Sequence, residues 1–191
     1  MRSSRKKVWA GTLAAGVAGV LGFTALTSSA PADSARGLEA PTITMEFDGM
    51  SPPHFDGPSK ISEGSSLTVV NNTSPMEIGP HTFTLTEKKL IPDDKQSAKD
   101  CFKAKSKVCK RIFKAHKVDF ENETVGKVLV EKGEVGWDTS FNEKDKGDSW
   151  FTQAEGDELT QAVLLSAGEK FAYFCVIHPE MQGKLKVVAA P

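Results

Sequence analysis

The chain has 191 residues, with 24 Lys+Arg against 25 Asp+Glu and a formal net charge of −1. That balance argues against the basic surface of a nucleic-acid binder. Residues 1–7 hold Arg2, Arg5, Lys6 and Lys7 without an acid, residues 8–26 are uncharged and rich in Ala, Gly, Val and Leu, and small residues follow to Ala32. This is the pattern of a secretory signal peptide over residues 1–32, with cleavage after Ala30-Pro31-Ala32. An uncleaved membrane anchor is the alternative, because the apolar run is just long enough to span a bilayer. Export to a periplasmic, cell-surface or extracellular location is therefore expected. Loss of the leader leaves 159 residues, suited to one domain over 33–191, with 20 bases against 25 acids.

Residues 41–49 alternate apolar and polar side chains and stop at Asp48-Gly49, which predicts a half-buried first strand. Residues 51–58 are rich in Pro, Gly and Ser and read as loop. A second strand is expected over 66–71, an arch over 72–80, and a third strand after His81, where Thr82, Phe83, Thr84 and Leu85 alternate. From Pro92 the pattern turns helical, with Val108, Ile112 and Ala115 recurring beside Cys109, Phe113 and His116. Residues 99–117 hold eight bases and one acid. They form either a solvated helix face or a surface that steers an acidic partner or anionic surface. Residues 127–137 suggest a hairpin and 142–148 a charged loop. Strands over 159–165 and 170–174 follow, the last delivering Cys175.

The most informative stretch follows that strand. Cys175, His178 and Met181 are spaced three residues apart on a short loop between β-patterned segments. A thiolate, an imidazole and a thioether are three of the four ligands of a mononuclear blue-copper site, which needs a second imidazole. His81, at the start of the alternating run, is the candidate. Singly, each has a plain explanation: a buried Cys, a satisfied His, a Met filling core space. The pattern as a whole argues for a metal. His54 and His116 lack a matching context, and Met45, Met50 and Met76 read as packing residues.

The loop C-x2-H-x2-M, the preceding residues 167–174, the following Gly183-Lys-Leu-Lys-Val and the upstream Gly79-Pro80-His81 together resemble the cupredoxins, the type 1 blue-copper family. The ligand loop is most similar to that of amicyanin and pseudoazurin. The resemblance covers residues 41–86 and 159–189. It implies an all-β, cupredoxin-like Greek-key β-sandwich, interrupted here by a partly helical insertion over roughly 87–158. It also implies one copper ion held by His81, Cys175, His178 and Met181, and a monomer that carries single electrons between redox partner proteins. The alternative is a copper-binding module for transport, buffering or delivery.

Phe174 and Val176 flank Cys175 where multicopper oxidases place His, and a binuclear centre would need a second loop cysteine. A carrier rather than an enzyme is expected. By resemblance, Thr82 and the Asn71-Asn72 pair hold the ligand loop by hydrogen bonds. His178 is the ligand nearest solvent and the electron port, within an apolar patch of Ile78, Pro80 and Pro179. Glu180 departs from that apolar pattern.

With Cys175 assigned to metal, Cys101 and Cys109 are left as a disulfide pair. Eight residues rise about 12 Å on a straight helix, whereas a disulfide needs Cα atoms within about 7 Å. The bridge therefore requires a bend near Lys105-Ser106. A straight helix would leave both thiols free, or build a second metal site with His116.

Overall fold

Alternating apolar residues pair two β-sheets face to face in the computed structural model, which describes residues 40–191. The early strands are β1 (Thr42–Glu46), β2 (His54–Asp56), β3 (Lys60–Ser62), β4 (Ser66–Asn71) and β5 (His81–Thr86). Helices α1 (Lys95–Phe102) and α2 (Lys107–His116) follow, then β6 (Val118–Asp119), β7 (Thr124–Val125), β8 (Leu129–Val130), β9 (Ser149–Thr152), β10 (Glu158–Ala162), β11 (Lys170–Phe174) and β12 (Gln182–Val188). One sheet runs β10-β4-β1-β2 and the other β3-β12-β11-β5-β9-β8, with β6-β7 a separate small hairpin. Each large sheet is mixed, with one parallel pair: β1 with β4, and β12 with β3. The expected β-sandwich is therefore present.

Its main core lies between the sheets and includes Ile43, Met45, Leu67, Val69, Phe83, Leu85, Trp137, Tyr173, Cys175 and Met181. Each large apolar side chain taken fully out of water contributes about 1.5–3 kcal/mol. A second cluster lies on the other side of β11, where Phe174 and Val176 pack with Val108, Cys109, Ile112, Phe113 and Cys101 of the helices. Strand β11 is therefore covered on both faces. Tyr173 and Cys175 point into the sandwich, while Phe174 and Val176 point toward the helix pair.

The helices break where the cysteine spacing requires. Asp94 caps α1 by accepting from the Ser97 N–H at 2.7 Å. Ala104 then takes φ 53, a left-handed backbone that ends the helix, and α2 restarts after Ser106. Cys101 and Cys109 are bridged, with Cα atoms 5.2 Å apart.

Three expectations need correction. Residues 54–56 are not loop but β2, antiparallel to β1; so short a strand pairs through its backbone and leaves little side-chain pattern. Residues 127–137 do not form a hairpin: β8 pairs with β9, and Trp137 bridges Val163. The reason lies in the presumed charged loop, where Asp148 is fully buried. Its carboxylate accepts N–H groups from Lys132, Asp138 and Thr139 at 2.8–3.0 Å, pinning residues 132–139 across that strand end. The insertion over 87–158 is also not one block, since β8 and β9 inside it complete the sheet beside β5. The signal peptide expected over residues 1–32 lies outside the described residues.

Candidate metal centre

His81 opens β5 and Cys175 follows β11, its antiparallel neighbour, so the sheet itself brings the two side chains together. The turn after Cys175 adds His178. Cys175 Sγ lies 3.9 Å from His81 Nδ1 and 3.9 Å from His178 Nδ1, and the two ring nitrogens are 3.2 Å apart. A point in the plane of this triangle is about 2.1 Å from all three atoms, within the roughly 2.0–2.3 Å over which a first-row metal binds imidazole and thiolate. The three residues could hold a metal ion.

The loop returns on itself through its backbone. Met181 N–H donates to the His178 carbonyl at 2.8 Å, and Cys175 N–H donates to the Met181 carbonyl at 3.0 Å. Met181 is fully buried in the same core cluster as Cys175. Gly183 crosses the ring of Tyr173 so closely that a methyl group there would overlap it. That contact explains the glycine at the start of β12.

Hydrogen bonds fix the sulfur. It accepts the Thr82 N–H at 3.3 Å and the His178 N–H at 3.4 Å, and Val176 N–H donates to the Thr82 hydroxyl at 2.9 Å. Thr82 thus takes the role its position implies. The Asn pair does not: Asn71 bonds Thr152, Ala154 and Thr73, and Asn72 bonds Glu46. The missed residue is Gln182, whose side chain holds the loop through the carbonyls of Pro179 and Pro92. No sequence pattern marks it, because its partners are backbone atoms.

Burial dominates the electrostatics. It pushes His81 down to about 3, helped by neighbouring His178, and lowers His178 against the opposing pull of Glu180 and an Ile78 backbone bond. Both rings are neutral near neutral pH, the state in which an imidazole binds metal. Burial also raises the Cys175 thiol, against the amide bonds from Thr82 and His178. The His81 Nε2 is buried without a partner, so that ring is positioned by packing rather than by the usual outer hydrogen bond.

His81 and Cys175 are fully buried, and His178 alone of the three is partly exposed. Around it, Ile78 and Pro80 are partly exposed, but Pro179 is buried and Glu180 exposed. The apolar patch is therefore smaller than expected. His54 is exposed, and His116 is buried against Ser149 and Lys127. Met45 is core, whereas Met50 and Met76 are 91 % and 93 % exposed and are not packing residues.

No family model and no curated protein sequence matches the chain. Among solved structures it is similar to a dithionite-reduced auracyanin from Roseiflexus castenholzii, at 11% identity, covering 78% of this chain and 95% of that one with a TM-score of 0.38. It is also similar to auracyanin A from Chloroflexus aurantiacus, at 18% identity over 76% and 97% with a TM-score of 0.37. For amicyanin from Paracoccus versutus the values are 13%, 83%, 85% and 0.34. Scores this low carry no conclusion by themselves. The mixed two-sheet sandwich and its His-Cys-His cluster define a candidate mononuclear metal protein. Together with the loop motif, they fit the cupredoxin family.

Proposed function

We propose that His81, Cys175, His178 and Met181 would hold one copper ion, and that the protein carries single electrons as an exported monomer. The observation that carries this reading is the near-equilateral set of two imidazole nitrogens and one sulfur, 3.2–3.9 Å apart. Copper alternates between Cu(I) and Cu(II) in such a ligand set. The chain's part is to hold the donors fixed, exclude water from Cys175 and His81, and offer the His178 ring edge as the electron port. Two fully buried ligands favour electron passage through an imidazole over substrate access to the metal.

The Cys101–Cys109 disulfide is in keeping with an oxidising compartment outside the cytoplasm. No helix among the described residues is long and apolar enough to cross a membrane. The partner is an acidic redox protein, because the helix pair exposes Lys99, Lys103, Lys105, Lys110, Lys114 and Lys117. Complementary charge of this kind chiefly raises encounter rate.

Adding Cu(II) to the purified protein should produce an intense blue thiolate-to-copper band that is absent from Cys175→Ala. A colourless copper-loaded sample would sink the electron-carrier reading. Ready loss of Cu(I) to a chelator or acceptor protein, with slow electron exchange, would instead favour copper delivery.

A further inference from the structure

Lysines stand in line across the outer face of the six-stranded sheet, at the end away from the metal centre. Lys186 of β12 is directly opposite Lys60 of β3 on one side and Lys170 of β11 on the other. Ile61, Phe171, Leu185 and Val187 alternate with them and face the core, so by the two-residue period of a strand the three lysines face outward. All three are exposed. Lys88, in the 3-10 turn after β5, and Lys184 of β12 flank the row and are exposed as well. Lys170 opens β11 and Cys175 follows its last residue, which sets the row about 17 Å along the sheet from the sulfur.

Such a row is destabilising on its own, because like charges directly opposite one another on neighbouring strands repel. Among the described residues, the ion pairs are Lys89–Glu87, Lys107–Glu143 and Lys132–Asp145. None of them includes one of these five lysines. The acids next to the row in sequence are engaged elsewhere: Glu87, which also borders the groove described next, pairs with Lys89 at 2.6 Å, and Glu169 accepts the Ser166 N–H at 2.6 Å. Lys88, Lys170, Lys184 and Lys186 stand with Ser59 and Ser140 around a groove of about 300 Å³. The positive charge is therefore gathered at a cleft and left without a counter-charge.

We propose that this face binds a linear acidic polysaccharide with one carboxylate per sugar, laid across β3, β12 and β11. The site is separate from electron transfer and holds whatever metal the centre carries. Neighbouring strands lie about 4.8 Å apart, close to the length of one sugar residue, so successive carboxylates meet successive lysines. Ser59 and Ser140 offer hydroxyls to those of the sugar along the groove. None of the large apolar side chains exposed among the described residues belongs to these strands, whereas a stable protein interface has an apolar core. A bilayer surface is too broad to enter the groove. A thin chain of repeating charge meets both conditions.

Titrating the purified protein into a fluorescent oligogalacturonate at several salt concentrations tests this. Binding is expected at low salt, falling as salt screens the charges. Single surface ion pairs are weak, but Lys60→Gln, Lys170→Gln and Lys186→Gln combined are expected to weaken binding about tenfold. The triple variant relieves the repulsion within the row, so its urea midpoint should be no lower than that of wild type, which separates lost binding from lost folding. Lys110→Gln with Lys114→Gln, on the helix pair, should bind as wild type does. No measurable binding by wild type, or equal binding by the triple variant, overturns the proposal. So does a loss confined to the helix-pair variant, or tighter binding to polyphosphate or to phosphatidylglycerol vesicles than to the oligogalacturonate. Binding is expected to be the same with and without copper, so a colourless copper-loaded protein that still binds the sugar counts against the copper reading alone.

Discussion

Gln182 donates its side-chain amide to the Pro92 carbonyl, 2.6 Å away and 90 positions earlier in the chain, while also bonding the Pro179 carbonyl at 2.7 Å. One side chain thus ties the ligand loop both to itself and to the segment leading into α1. Removing it in Gln182→Ala leaves two carbonyls without this donor, at about 0.5–1.5 kcal/mol each. The expected outcome is a loss of about 1–3 kcal/mol in urea unfolding, with faster copper loss to a chelator. Unaltered copper retention would mean that the loop is held by its own backbone bonds.

Copper should stabilise the fold only through its ligands. A ligand present at a hundredfold over its Kd adds about 2.7 kcal/mol to the state that binds it. Calorimetry should show a copper-dependent rise in Tm for wild type, and little or none for Cys175→Ala or His81→Ala. An equal rise in all three would place the copper elsewhere.

The disulfide closes a short loop, with a sequence separation of 8. Replacing both cysteines by Ala is expected to cost about 2–3 kcal/mol from chain entropy. The helical circular-dichroism signal should weaken. The blue band should survive, because the thiol proposed to bind copper is the free Cys175. Loss of the band together with retained helix would show that the bridge governs the centre rather than the helix pair.

Acid should weaken the metal-free protein partly through His116. Its pKa is depressed from 6.5 to about 4 by burial, so the folded chain resists a proton that the unfolded chain accepts. The stability at stake is complete above the unfolded value of 6.5 and is lost as pH falls through about 4, a span worth roughly 3 kcal/mol. His81 acts in the same sense at lower pH. Urea midpoints should fall more steeply between these two pH values for wild type than for His116→Gln. Parallel curves would remove His116 from the acid response.

The cluster of His81, Cys175 and His178 was legible because its chemistry sits in side-chain identity and short spacing: Cys175 and His178 on one loop, and His81 at the head of an alternating strand. The helix break between Cys101 and Cys109 was legible from distance alone. Other features depend on tertiary cover that no local pattern records. Thr82, Thr84 and Thr86 alternate with apolar residues as though facing water, yet all three are buried, because the insertion covers that side of the sheet. Asp148 reads as part of a charged loop, but three backbone N–H groups elsewhere in the chain supply its partners. Met50 and Met76 look like core residues by type, and they stand on turns that lead away from it.

The placement of the bridged cysteines also bears on how the free thiol survives oxidation. Closing a loop costs more entropy as it lengthens, and Cys101 meets Cys109 across a single helix break, whereas pairing either with Cys175 would require closing a far longer loop. On loop-closure entropy alone, oxidation of the unfolded chain is expected to join these two helical thiols first. Cys175 is left without a partner until β11 carries it into the sandwich, where it is fully buried and remains a free thiol.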